Sequence, residues 1–414
     1  MIQEKIYNIG TYMFSGAMKF ASLLNPKAKL FVDGRHQLLS KIQADFKNNN
    51  QKTAWFHCAS LGEFEQGRPV IEAFKVQFPA YKIVLTFFSP SGYTVQHNYE
   101  HADYIYYLPL DTKSNAELFV KTINPQIAFF VKYEFWHNYL VALKSIEAKI
   151  ISFSTIFRAD QAFFKNNGGF QQNMLKQFDY FFTQDKNSYD LLSSINIDNK
   201  IIAGDTRFDR VAQICASPKQ IPIAKKFSEN ATVLVVGSSW PRDISALSLV
   251  ASKLPELKII VAPHEISDKK IDFITSTFSA RDSIRFSEAT ENNVTDKNLL
   301  IIDNVGMLSS LYQFADFAYV GGAFGEGLHN ILEPATFGIP VVIGKEYDKF
   351  IEAVQLVERE GTFSITDANS CLSIIKKLLI DTTFREKTGL ITQDFVKENL
   401  GSTDKIITYC KELL

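Results

Sequence analysis

A chain of 414 residues exceeds the length at which one hydrophobic core stops growing, so two domains are expected. With 46% apolar and 21% charged residues it is neither disordered nor fibrous, and a formal net charge of −1 gives no whole-protein electrostatic case for a nucleic-acid partner. The four cysteines, Cys58, Cys215, Cys371 and Cys410, are scattered without metal-ligand spacing, which fits a reducing compartment.

The amino terminus departs from this neutrality: residues 1–52 carry eight Lys/Arg against Glu4, Asp33 and Asp45, a net of +5. Ile2, Ile6, Ile9, Met13, Phe20 and Leu24 recur at helical spacing until Asn25-Pro26 stops the helix. The uncharged stretch from Ile6 to Met18 is too short and too polar to span a bilayer and has no cleavage site of a signal peptide. Two placements are open: on an anionic membrane surface through residues 1–30, or packed on its own domain.

From Trp55 onward short apolar strands alternate with helical patterns: Trp55–Ser60, Lys82–Phe88, Tyr104–Pro109, Ile127–Tyr133, Lys149–Ser154, Tyr180–Gln184 and Lys200–Gly204. Strands separated by helices make a parallel sheet covered on both faces, here an N-terminal Rossmann-like domain over 53–205. Residues 206–231, with Pro218 and Pro222, read as a linker. The alternation restarts with Val233–Gly237, Lys258–Ala262, Ile284–Phe286, Leu299–Asp303, Phe317–Val320 and Val341–Ile343, giving a second Rossmann-like domain over 232–380. Residues 381–414 read as helix that packs back on the first domain. Two doubly wound units of this kind are expected to face one another across a cleft, with ligands at the carboxyl ends of the strands.

Chemistry-bearing residues cluster at those strand ends. His57-Cys58-Ala59-Ser60-Leu61-Gly62-Glu63 closes the first strand, and Glu63 is a candidate general base for a hydroxyl nucleophile. Ser60 to Glu63 is equally a capping-box spacing. Lys132-Tyr133-Glu134-Phe135-Trp136-His137-Asn138 follows a later strand, where Glu134 can bind acceptor hydroxyls, orient the base, or merely favour a helix start. Arg158 and Arg207 are candidates to hold phosphate or carboxylate oxygens, with surface ion pairing as the competing explanation. In the second domain Ser238, Ser239 and Trp240 follow a strand, and Pro263-His264 close the next. The run Gly321-Gly322-Ala323-Phe324-Gly325-Glu326-Gly327-Leu328-His329-Asn330-Ile331-Leu332-Glu333-Pro334 reads as a strand entering a glycine-rich turn that a helix leaves, suited to a phosphate, with Glu333 placed for sugar hydroxyls. A simple tight turn with Glu333 on the helix dipole is the alternative. No P-loop, HExxH, cysteine cluster or Asp-x-Asp after a strand occurs, so no metal and no cofactor are expected, and the missing Gly-x-Gly-x-x-Gly after the first strand counts against a nicotinamide enzyme.

Together these pieces resemble the 3-deoxy-D-manno-octulosonic acid (Kdo) transferases across essentially the whole chain. The resemblance rests on His57–Glu63, Tyr133–Asn138, Gly204–Asp209, Val261–His264, Gly306-Met307 and Gly321–Pro334, of which the first and last are the most specific. Lys132, His137, Trp240 and the order Pro263-His264-Glu265 depart from the family pattern. The resemblance implies an α/β fold of glycosyltransferase B architecture, with acceptor held by the first domain and CMP-Kdo by the second. It implies Glu63 as general base supported by Glu134, with Ser60, Gly62, Arg158 and Arg207 as candidate acceptor or phosphate contacts. Ser238, Ser239, Pro263, His264, Gly306, Met307, Gly322, Asn330 and Glu333 are then donor residues. The implied reaction is inverting, metal-independent transfer of Kdo from CMP-Kdo to a lipid A precursor, lipid IVA, at the cytoplasmic face of the inner membrane. A nucleotide-sugar epimerase of the same architecture and a non-catalytic lipid A-binding protein are the alternatives.

Overall fold

The computed structural model describes residues 2–165 and 168–414. The chain divides into two compact units, Met1–Arg210 with Leu400–Leu414, and Val211–Asn399. Each is a seven-stranded parallel sheet with helices on both faces.

The first sheet comprises β1 Thr53–Cys58, β2 Lys82–Phe87, β3 Tyr104–Tyr107, β4 Pro125–Val131, β5 Lys149–Thr155, β6 Tyr180–Thr183 and β7 Lys200–Ile202, in the order β3-β2-β1-β4-β5-β6-β7. The second comprises β8 Val233–Ser239, β9 Lys258–Pro263, β10 Ser283–Arg285, β11 Leu299–Ile301, β12 Phe317–Val320, β13 Val341–Ile343 and β14 Thr362–Ser364, in the order β10-β11-β9-β8-β12-β13-β14. The central strands are near-continuous apolar runs because both faces are covered. In β4, Ala128 and Phe130 join one core cluster while Ile127, Phe129 and Val131 join the other, the period of two that a strand imposes. Leu234 and Val236 against Val233 and Val235 do the same in β8.

Three segments differ from the expectation. The stretch 206–231 folds as helices Thr206–Ala216 and Pro222–Ser228, and Pro222 starts a helix, where its missing N–H costs nothing. Residues 381–414 form two helices, Thr382–Glu398 and Ser402–Leu413, broken by Gly401 at φ 95°. The second helix belongs to the first unit: Ile406, Ile407 and Cys410 pack in its core with Phe74, and Asp209 accepts from the N–H groups of Gly401 and Thr403 at 2.8 and 2.7 Å. Strand β14 was not expected, being a three-residue edge strand in which Phe363 is half-buried and Ser364 exposed.

The amino-terminal helix, Ile2–Ala21, has two faces with different fates. Its polar face is tied down: Tyr7 Oη donates to Asp111 Oδ2 at 2.5 Å, and Asn138 Nδ2 donates to Asn8 Oδ1 at 2.8 Å. Its apolar face is not, since Ile2, Ile6, Ile9, Met13 and Phe20 are 59–77% exposed. Among the described residues no helix is long and apolar enough to cross a membrane.

Asp111 is the buried end of this latch, accepting also from the N–H groups of Asn138 and Tyr139 at 3.2 and 3.1 Å. Burial raises its carboxyl to about 6, the three donors offsetting this only in part. An unfolded aspartate titrates near ~3.9, so the folded chain holds a proton that the unfolded chain has released between those values. The stability this adds is complete below about pH 4 and is lost as the pH rises to about 6. Asp111→Ala, which strands three donors, is expected to cost about 2–4 kcal/mol in urea unfolding. The deficit of Asp111→Asn relative to wild type is expected to shrink between about pH 4.5 and about pH 7.

Candidate active site

In both units the chain winds outward in opposite directions from a central strand, which leaves an opening at the strands' carboxyl ends between β1 and β4 and between β8 and β12. The motifs around Glu63, Glu134, Trp240 and Gly322 fall at these two places.

In the first unit β1 runs into Ser60 and the helix Leu61–Gln77, which starts with Glu63 in its first turn. Ser60 sits at the N-cap but makes no side-chain cap hydrogen bond; its hydroxyl donates to the Glu63 carboxylate instead. The capping-box explanation of Glu63 is therefore not realised. The other carboxylate oxygen lies 3.9 Å from Lys132 Nζ, and the Glu63 side chain is 12% exposed. Lys132 follows β4 at φ 64°, a left-handed conformation costly for a lysine, and its N–H donates to the Phe153 carbonyl at 2.9 Å. Tyr133, next in sequence, has its hydroxyl pushed up by burial and then by the charges of Glu63 and Glu134, so both carboxylates act on one locality.

Glu134 lies beside a buried hydrogen-bonded chain. Trp55 Nε1–H donates to Thr86 Oγ1 at 2.8 Å, and Thr86 Oγ1 lies 2.9 Å from His57 Nδ1, against 3.5 Å to the Phe56 carbonyl. Tryptophan can only donate, so the threonine proton goes to its nearest acceptor, Nδ1, which puts the imidazole proton on Nε2. His57 Nε2 is fully buried and makes no hydrogen bond among the described residues; Glu134 Oε2 lies 3.6 Å from it and accepts from Trp136 Nε1 at 2.9 Å. His57 was part of the sequence motif but carried no assigned role; its i to j separation from Thr86 gave no signal.

Of the remaining candidates in this unit, Gly62 lies in the first turn of the same helix. Arg158 is exposed and 3.7 Å from Asp160, and it also lowers the Tyr133 hydroxyl, so its charge reaches the cluster. Arg207 Nε donates to Asp205 at 2.8 Å. Burial works to raise the Asp205 carboxyl, but Arg207 and a hydrogen bond from Gln66 hold it below the ordinary carboxylate range.

In the second unit Asp243, fully buried, ties the loops together. It accepts from Trp240 N–H at 2.8 Å, Gly322 N–H at 3.0 Å and Tyr319 Oη at 2.8 Å, so the turn after β8 and the glycine loop after β12 share one carboxylate, which burial raises. Sequence reasoning missed it, because its partner Gly322 is 79 residues away. Gly322 has φ 96°, and a Cβ there would meet the Gly327 carbonyl oxygen at 2.1 Å; only glycine fits. Ser238 takes φ 50°, Ser239 Oγ is buried without a partner, and Gly306 takes φ 84°. Met307 is half-buried, Pro263 ends β9, and His264 is exposed beside it.

The loop following β12 is longer than expected. Its helix is only Leu332–Thr336, and Asn330 starts it by accepting from Leu332 N–H at 3.1 Å while its amide donates to Glu333 Oε1 at 3.3 Å. The glycine backbone, not a helix end directly after it, is what an anion would meet first. Among the described residues no three His, Cys, Asp or Glu side chains converge as metal ligands.

The family described as 3-Deoxy-D-manno-octulosonic-acid transferase (kdotransferase) matches residues 34–210. The 3-deoxy-D-manno-octulosonic acid transferase of Chlamydophila psittaci is 24% identical over 396 residues, covering 92% of this chain and 91% of that protein. That of Aquifex aeolicus is 25% identical over 357 residues, covering 82% and 92%. Among solved structures, the UDP-GlcNAc 2-epimerase from Neisseria meningitidis bound to UDP-GlcNAc superposes with a TM-score of 0.63 at 13% identity, covering 87% of this chain and all of that one. At that identity the likeness speaks for the shared glycosyltransferase B architecture alone.

Thr86→Val keeps the volume of the central residue of the Trp55–Thr86–His57 chain but removes its hydroxyl, leaving Trp55 Nε1–H without an acceptor and His57 Nδ1 without a donor. A loss of about 1–3 kcal/mol in denaturant unfolding is expected. Residues 34–210 match the Kdo transferase family's domain and the chain is similar over nearly its whole length to Kdo transferases, which supports a glycosyltransferase enzyme.

Proposed function

We propose that this protein transfers Kdo from CMP-Kdo to a lipid A precursor, lipid IVA, in lipopolysaccharide core biosynthesis, with inversion at the anomeric carbon. The observation that carries it is Glu63, a carboxylate at the carboxyl end of β1 that Ser60 and Lys132 hold and no backbone cap consumes. Glu63 takes the proton of the acceptor sugar hydroxyl as its oxygen attacks the Kdo anomeric carbon, and the bond from that carbon to the CMP phosphate oxygen breaks. Glu134, held by Trp136 and lying 3.6 Å from His57 Nε2, supports the base or holds the acceptor. The departing nucleotide carries a single phosphate, whose charge the N–H groups of the glycine loop and the side chains of His264 and Asn330 are suited to meet, so the reading includes neither metal nor cofactor.

The acceptor is a lipid, and the amino-terminal helix supports a position at the cytoplasmic face of the inner membrane. It presents exposed Ile2, Ile6, Ile9, Met13 and Phe20 within a segment of net charge +5.

The direct test is mass spectrometry of tetraacyl lipid A precursor incubated with the protein and CMP-Kdo generated in situ, with EDTA present. A product heavier by one or more Kdo units is expected. Glu63→Gln should lower kcat by about 10²–10⁴-fold while CMP still binds the folded protein; full activity in that variant would overturn the assigned base. The double variant Ile6→Asp/Met13→Asp leaves the Tyr7 and Asn8 contacts in place, so sedimentation with anionic liposomes should fall several-fold with an unchanged unfolding midpoint. Unaltered liposome binding would remove the helix from the membrane contact.

A further inference from the structure

Three aromatic rings from three different loops meet in the second unit: Trp240 after β8, His264 after β9 and His329 after β12. The Trp240 and His264 rings are 4.6 Å apart and 26° from parallel, and the His264 and His329 rings are 4.5 Å apart at 31°. Trp240 Nε1 lies 3.1 Å from His329 Nε2. An indole N–H has no lone pair to offer, so the bond has one polarity: Trp240 donates and His329 Nε2 accepts. A nitrogen that accepts carries no proton. His329 is therefore neutral, and its single proton sits on Nδ1, which has no protein hydrogen-bond partner among the described residues.

Both bonded rings are held from behind. The Trp240 backbone N–H is bonded to Asp243, and His329 N–H donates to the Gly321 carbonyl at 3.1 Å, so neither ring position is left to its own side chain. Burial, and then the neighbouring His264, lower the pKa of His329, in line with the neutral form. The charged groups around the stack are Lys270, whose Nζ is 5.7 Å from the Trp240 ring, Asp243, and Glu326, whose charge reaches Asp243.

We propose that Trp240 is a positioning residue for the glycosyl donor: it locks His329 into the neutral Nδ1–H tautomer, so that His329 offers one directed hydrogen bond to the phosphate of a leaving nucleoside monophosphate. This rests on the placement of the donor in the second unit. A histidine free to choose its tautomer, or to protonate, presents that donor only part of the time. The lock makes it permanent at neutral pH and spares the site a change of charge there. His264, exposed and with no side-chain hydrogen bond among the described residues, is the ring of the pair left free to respond to the ligand.

Side-chain ¹⁵N spectra of the histidine-labelled full chain test the lock without any variant. His329 is expected to show a protonated Nδ1 and a bare Nε2 from about pH 6.5 to about pH 8; a protonated Nε2 would overturn it. Trp240→Phe keeps a ring in the stack and removes the N–H. Its CMP dissociation constant, measured by calorimetry, should exceed that of wild type roughly tenfold near pH 8. The ratio of the two constants should fall toward one near pH 5.5, where a protonated His329 again carries an Nδ1–H. Taking the ratio cancels the titration of His264, of Lys270, Asp243 and Glu326, and of the CMP phosphate. A ratio that is the same at both pH values would mean that Trp240 only packs, and would overturn the positioning role. A wild type that binds no CMP would overturn the donor placement instead, and the spectra would still decide the lock.

Discussion

The structure depends on one topological constraint: in each sheet the chain starts at a central strand, lays its next strands to one side, and then crosses to the other. Adjacent loops at that crossing, after β1 and β4 and after β8 and β12, lead away from each other. The sheet end between them cannot be covered by its own connections. A polar group placed there is reachable by a ligand yet rooted in a strand buried on both faces. Glu63, Glu134, Trp240 and Gly322 all stand one to five residues beyond such strands, which is why their geometry can be held so closely.

Holding it costs polar burial, and the two units meet that cost in the same way. In the first, Trp55, Thr86 and His57 form one hydrogen-bonded chain in the core beside Glu134, which Trp136 holds. In the second, Asp243 gathers three donors from two loops. Each group left unpaired in such a place would cost about 1–3 kcal/mol, so the networks are worth more as constraints on loop conformation than as net stabilisation. Backbone strain marks the same positions. Lys132, Ser154 and Ser238 take positive φ at the ends of β4, β5 and β8, conformations that persist only where surrounding contacts enforce them.

Thirteen of the fourteen strands were legible because a strand buried on both faces must be an apolar run, and such runs stand out between amphipathic helices. β14 was not, since an edge strand of Thr362, Phe363 and Ser364 has little to bury. Pro222 was misread for the opposite reason: proline punctuates loops and starts helices alike, and only the structure tells which. The site was legible as a set of strand-end motifs, since glycine, histidine and carboxylate residues in those places have few structural duties. Its internal wiring was not. Ser60 with Glu63 has the spacing of a capping box whichever way the hydroxyl points, and the Tyr7 bond to Asp111 spans 104 residues, beyond any periodicity.

That bond also explains why the amino-terminal helix can be both part of the domain and available to another surface. An amphipathic helix ordinarily buries its apolar face in its own core. Here Tyr7 and Asn8 bond to Asp111 and Asn138 and Phe14 packs on Phe31 and Phe88, which leaves Ile2, Ile6, Ile9, Met13 and Phe20 outward. The His137 N–H, which donates to Tyr7 Oη at 3.4 Å, and Asn138 lie three and four residues after Glu134. The helix is therefore tied by side-chain hydrogen bonds to the start of the helix His137–Ser145, which follows Glu134 directly. The central carboxyl of this latch, Asp111, is buried and holds its proton up to about pH 6, so the helix is fastened by a group whose charge depends on pH.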